Sequence, residues 1–89
     1  MSLRRLRAQI DRVDRQLLRL LSRRAELALR VGRIKRQRGV PVFDSRREQR
    51  VLRQMARLNR GPLATASVRK IFQEILRWSR RLEVRKSPR

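Results

Sequence analysis

Between Leu3 and Ile34 the apolar positions step by alternating threes and fours: Leu3, Leu6, Ile10, Val13, Leu17, Leu20, position 24, Leu27, Val31 and Ile34. That spacing places all ten positions along one seam of a helix. No proline interrupts the run, Gly32 is its only glycine, and Ser2 is a natural N-cap. The reading is a single helix from about Ser2 to Gln37, on the order of 50 Å long. A compact domain of this size has a radius of gyration near ~12 Å, so the helix overshoots any globule its own chain can build. Its seam needs a partner, and the inference is a dimer assembled on this helix. A membrane-surface amphipathic helix is the competing explanation, against which the seam is narrow and lacks aromatic residues.

The rest of the chain reads as two more helices. Arg38-Gly39-Val40-Pro41-Val42-Phe43 forms a short loop, where Gly39 supplies turn freedom and Pro41 blocks continuation. Ser45 and Glu48 have capping-box spacing for a second helix, with Asp44 as the alternative N-cap. Val51, Leu52, Met55 and Leu58 form its apolar face, and Asn59-Arg60-Gly61-Pro62 stops it. A third helix is expected from about Thr65 to Arg85, with Val68, Ile71, Phe72, Ile75, Leu76 and Leu82 as its apolar positions. A basic tail, Arg85 to Arg89, is expected to fray. The chain is thus expected to be all-α, three helices in one domain over residues 1–89, and Met1 with the short tail suggests a free-standing protein.

The 89 residues carry 27 Lys plus Arg against 7 acids, a net charge of +20, and only Lys35, Lys70 and Lys86 are lysines. Two readings of this excess stay open: a solvated Arg-rich surface, or an anion-binding one, because neutralising phosphates releases counterions. Non-specific adhesion to polyanions at low salt is expected either way. The absence of Cys, His and Tyr excludes disulfides, thiolate nucleophiles, Ser–His triads and the usual zinc ligand sets. Any enzyme built from this inventory works by positioning and fixed charge. No apolar run suits a signal peptide or a transmembrane helix, so no membrane partner is expected and the cytoplasm is the default compartment.

Several polar residues sit where apolar ones belong. Position 24 of the seam is Arg24, and a cation on an apolar face demands an anion. Either a carboxylate from another helix or an anionic ligand meets that demand. Lys35 lies eleven residues on, about three turns and roughly 16 Å along the same face. The two side chains can bend toward a small dianion between them, although Lys35 alone also reads as an ordinary solvated cation. On the third helix Phe72, Leu76, Ser79 and Glu83 repeat the three–four spacing, so its inner face turns polar at Ser79 and Glu83. An inward Ser79 can be simple packing; an inward Glu83 requires a cation or a proton, and its other option is solvent among Arg80, Arg81 and Arg85. Asp44, Arg47 and Glu48 cluster at the second helix start, where capping explains the acids and free N–H groups also make a ligand wall. Arg7 lies roughly 26 Å from Arg24 along the axis. It can approach such a site only from an antiparallel second copy.

Three segments, LRAQIDRVDRQLLRLLSRRAELALRVGRIK, GVPVFDSRREQRVL and GPLATASVRKIFQEILRWSRRLE, resemble the all-helical class of chorismate mutases, in the family's order and spacing from Leu6 to Glu83. The resemblance implies three helices per chain in an intertwined homodimer with two active sites, and rearrangement of chorismate to prephenate on the route to Phe and Tyr. It implies that Arg24, with Arg7 of the second chain, holds the substrate carboxylates. Lys35 would bond a carboxylate and the ether oxygen of the breaking C–O bond, and Glu83 would be the second donor to that oxygen. Asp44 and Glu48 would orient the ring hydroxyl, Arg47 and Ser79 would complete the carboxylate shell, and Val31 and Leu76 would form apolar walls. No metal and no cofactor is implied.

The implied reaction suits the inventory, because a unimolecular pericyclic step needs no covalent intermediate and no obligatory proton transfer. The enzyme restricts the conformer and stabilises negative charge growing on the ether oxygen. Some family members carry Gln where this chain has Glu83; a carboxylate cannot donate, so Glu83 must be protonated to fill that role. Two alternatives accompany the reading: an isochorismate pyruvate-lyase on the same fold, and a basic helical nucleic-acid-binding protein. The second leaves the inward Arg24, Ser79 and Glu83 unexplained and has only Trp78, Phe43 and Phe72 for stacking bases.

Overall fold

A computed structural model describes residues 2–85 as three helices: α1 (Leu3–Arg38), α2 (Ser45–Leu58) and α3 (Thr65–Val84). Of the tail expected to fray, Arg85 to Arg89, Arg85 caps α3 and residues 86–89 lie outside the described residues. The caps explain the boundaries of α1. Ser2 is extended, and its hydroxyl accepts from the Arg5 N–H at 3.2 Å. Gly39 closes α1 in the left-handed region at φ 67°, with its N–H returned to the last turn, a conformation that costs glycine little.

At α2 the capping box gives way to its alternative. Asp44 is the N-cap, its Oδ1 accepting from the Arg47 N–H at 3.0 Å. Its carboxylate reaches the amide three residues on, so Ser45 becomes the first helical residue. The Glu48 side chain is thereby free to leave the helix start.

α3 packs on both other helices, while α1 and α2 make no close backbone contact with each other. The result is a slab of 55 × 33 × 14 Å with a radius of gyration of 16.3 Å. One helix layer is about 10–12 Å thick, so no second layer covers the sheet of helices. Burial reflects this: Ala28, Val51, Val68, Ile75 and Leu76 are the buried apolar residues, and no large side chain is fully enclosed. The first half of the α1 seam packs on nothing. Leu3, Leu6, Ile10, Val13, Leu17 and Leu20 are 41–65% exposed, far more apolar surface than an isolated soluble fold leaves bare along one helix. No helix among the described residues is long and apolar enough to cross a membrane.

Candidate active site

The second half of α1, the start of α2 and the end of α3 enclose a cavity of about 430 Å³. Its polar lining is Arg24, Lys35, Asp44, Arg47, Glu48, Ser79 and Glu83. Every site residue expected from the sequence is therefore present at one place except Arg7, which is exposed on the unpartnered half of α1. The expected apolar walls, Val31 and Leu76, are there too.

Arg24 enters from α1 and donates to the Ser79 hydroxyl of α3, which in turn donates to the Ile75 carbonyl at 2.7 Å. Ser79 is buried, so it serves as a polar rest for the guanidinium rather than as packing alone. The Arg24 guanidinium also lies 6.0 Å from the centroid of the Trp78 ring, at the outer limit of a cation–π contact. No carboxylate pairs with it among the described residues. Burial holds the Arg24 pKa below its ordinary value; repulsion from Arg47 adds to this and attraction to Glu83 opposes it. Of the two options for meeting this charge, the pairing carboxylate is missing and the hollow is present.

Lys35 and Glu83 face each other from α1 and α3, Nζ to Oε1 at 2.7 Å, both largely buried. Glu83 thus turns inward rather than toward solvent. Lys35 donates a hydrogen bond to the Val42 carbonyl at 2.7 Å, which ties the interhelical loop to α1. Glu83 Oε1 lies off the donating directions of the ammonium and is buried without a well-formed hydrogen bond. The contact is ionic, and the oxygen keeps its directional bonding capacity.

The third polar cluster was only half legible in the sequence. Glu48 pairs with Arg80 of α3, and the Arg80 guanidinium stands 5.2 Å from the Phe43 ring centroid. Spacing hinted at this, since Arg80 lies four residues beyond Leu76 on the inner face of α3. Among the described residues no group of three carboxylates gathers closely enough to share a metal ion. The arrangement is instead suited to an anion: Arg24 and Arg47 stand ready at one side of the cavity, and Lys35 stands at the other, already engaged with Glu83.

Comparison with known proteins agrees with this geometry. Residues 6–84 match the family described as chorismate mutase type II. The chain is 38% identical to a chorismate mutase from Thermus thermophilus, with a TM-score of 0.93 over 97% of this chain and 98% of that one. It is 30% identical over 79 residues to the chorismate mutase of Methanocaldococcus jannaschii, covering 88% of this chain and 80% of that protein. It is also 37% identical over 78 residues to a bifunctional chorismate mutase/prephenate dehydratase from Aquifex aeolicus, 83% of this chain but 22% of that protein. The chain thus spans about a fifth of the length of such bifunctional relatives. An inward cation without a carboxylate, a paired acid and lysine across two helices, and a match running nearly from end to end lead to one conclusion: the chain belongs to the type II chorismate mutase family.

Proposed function

We propose that this chain, as a single domain over residues 1–89, rearranges chorismate to prephenate in an intertwined homodimer, with Arg7 of each copy completing the cavity of the other. The observation that carries the reading is Arg24, a partly desolvated guanidinium without a carboxylate, facing a 430 Å³ hollow. A cavity of that size is within the usual range for small-molecule sites.

Charge balance supports the second copy. The lining contributes three cations, Arg24, Lys35 and Arg47, and three carboxylates, Asp44, Glu48 and Glu83. Arg80 neutralises Glu48 from outside the lining, so with Glu83 ionised against Lys35 the single-chain cavity of the free protein has a surplus of one positive charge. A dicarboxylate guest calls for two. Arg7 supplies the missing charge, and it projects from the same half of α1 whose apolar seam is bare. Burying that seam against a second copy and completing the cavity are then one event.

In this reading Arg24, Arg47 and Ser79 bind carboxylate, and Asp44 and Glu48 orient the ring hydroxyl. Val31 and Leu76 press the ring side into the conformer that brings the reacting carbons together. Lys35 turns from Glu83 toward the ether oxygen as that atom gains charge, where a preorganised donor acts most strongly. Glu83 is the second group beside that oxygen, a donor to it only with a proton on its carboxyl. The comparisons favour neither the pyruvate-lyase nor the nucleic-acid alternative. The test is direct: purified protein should remove chorismate, followed as loss of its absorbance, and sediment as a two-chain particle. A species of one chain that turned chorismate over at full rate would refute the shared site.

A further inference from the structure

Glu83 is gripped by α1 at three points, only one of which is the ion pair with Lys35. The second point is Gly32. A Cβ at this position would lie 2.3 Å from the Glu83 carbonyl oxygen, 2.6 Å from its Cα and 2.8 Å from its carbonyl carbon. All three are backbone atoms, so no side-chain rotation relieves the clash. Gly32 is buried inside α1, six residues before its last residue, where glycine costs roughly 0.5–1 kcal/mol against alanine; the cost is explained if the bare backbone is needed for contact. The third point is Arg36, whose guanidinium donates to the same Glu83 carbonyl at 2.8 Å. That carbonyl lies in the last turn of α3, which ends at Val84, and helix-end carbonyls lack an intrahelical donor. Arg36 is exposed and outside the cavity lining.

We propose that Gly32 and Arg36 form a backbone clamp whose function is to set the register of Glu83 against Lys35, making both positioning residues for the catalytic pair. Gly32 lets the end of α3 seat directly on α1, and Arg36 holds it there by a carbonyl at the end of α3. The Glu83 carboxylate then falls at bonding distance from the Lys35 ammonium, three residues from Gly32 on the same helix. An ordinary carbon–oxygen approach is about 3.3 Å or more, so alanine at position 32 displaces the Glu83 backbone by roughly 1 Å. Misplacement by that amount at a reacting centre costs about a hundredfold in rate.

The proposal rests on the mutase reading for its kinetic consequence, but not for its structural one, and the experiment keeps the two apart. In Gly32→Ala, kcat should fall about a hundredfold while KM stays within about threefold, since the carboxylate-binding end around Arg24 is untouched. Arg36→Met should lower kcat by about fivefold, the worth of one hydrogen bond, and Arg36→Lys should restore most of it. Arg33→Ala, on the exposed side of the same turn, should leave turnover unchanged. Independently of turnover, thermal melts of Lys35→Met, Glu83→Gln and the double variant should be non-additive in the native background and additive with Gly32→Ala. Should alanine at position 32 prevent folding, the same cycle in the Arg36→Met background, where the coupling should weaken, carries the test. A Gly32→Ala protein with native kcat and the raised melting temperature that helix propensity alone would give overturns the clamp. A wild-type protein inactive on chorismate, with the cycle behaving as stated, overturns the mutase reading and leaves the clamp standing.

Discussion

Replacing Arg24 by Met separates what this residue does for the fold from what it does for the site. In the free protein the substitution removes a hydrogen bond to Ser79, worth about 1 kcal/mol. It also removes a contact with the Trp78 ring at 6.0 Å, worth about 0.5–1 kcal/mol at most. Ser79 is not orphaned, because it still donates to the Ile75 carbonyl. Against these losses stand relief from desolvation of the guanidinium and from repulsion by Arg47, the two causes that depress its pKa. A pKa lowered on folding means the charged form is disfavoured in the native state. That cost is present wherever Arg24 is charged and lifts only in strong alkali, so it is constant near neutrality. The two losses bound the destabilisation at about 2 kcal/mol, a melting shift of no more than about 8–16 °C, and the relief lowers it. With substrate bound the balance is different. Losing one partner of a desolvated charge pair costs about 2–5 kcal/mol, or roughly 30-fold to several thousandfold in kcat/KM. Most of the loss should appear in KM, because the substrate carboxylates are charged in ground state and transition state alike. Absorbance assays give the kinetics, circular dichroism the melt, and quenching of Trp78, the only tryptophan, the affinity. A variant within about threefold of wild-type kcat/KM, or one whose activity loss is matched by loss of folded structure, refutes the reasoning.

Lys35→Ala should behave oppositely, with kcat reduced by about 2.7–4 kcal/mol of barrier and KM little changed, because charge on the ether oxygen develops only in the transition state; a loss confined to KM would place Lys35 on a carboxylate alone. Glu83→Gln, which always presents a donor at this place, should retain turnover where Glu83→Ala loses it; equal losses in both variants remove the donor role. Mixing inactive Arg7→Ala and Arg24→Ala chains should restore about a quarter of wild-type activity, since half of random dimers carry one intact site, whereas two inactive proteins that stay inactive after subunit exchange would argue against Arg7 acting across the interface.

The boundaries of α1 were legible because both its ends carry their own local chemistry. Ser2 and Gly39 do in the structure what such residues do at helix ends in general. At α2 two local solutions competed, and the sequence could not rank them: Asp44 caps, and Glu48, released from a capping box, crosses to Arg80. Periodicity also brought polar residues of α1 and α3 into one cavity, since a polar side chain on an apolar seam has few other places to go. Pairings between helices stayed hidden for the same reason. Period fixes which face a residue occupies, not which residue stands opposite, so the Arg24–Ser79 contact, the Lys35–Glu83 pair and the Arg80 stack on Phe43 are set by the tertiary packing alone. Gly32 had a readable signal, a glycine inside an otherwise uninterrupted helix and three residues before Lys35. Its meaning depends on the distance to the end of α3, which no local pattern encodes.

The excess of positive charge makes the carboxylates more informative than the cations. With 27 basic residues in the chain, an arginine at any one position is weak testimony, and many outside the cavity, such as Arg53 and Arg57, face solvent. Seven acids are few enough that each placement is a choice, and three of them line the cavity. Acids there work against capture of a dianion, so their presence requires a compensating use. Glu48 and Glu83 are each answered by a cation from the opposite helix, Arg80 and Lys35, which fixes long flexible side chains before any ligand arrives. Arg24 alone is steadied by a neutral hydroxyl instead. An acid in place of Ser79 would hold it as firmly but would neutralise the charge that an anionic guest is there to meet. Under the proposed reading, Lys35, whose charge is to act late, is oriented by a carboxylate, and Arg24, which is to bind, by a hydroxyl.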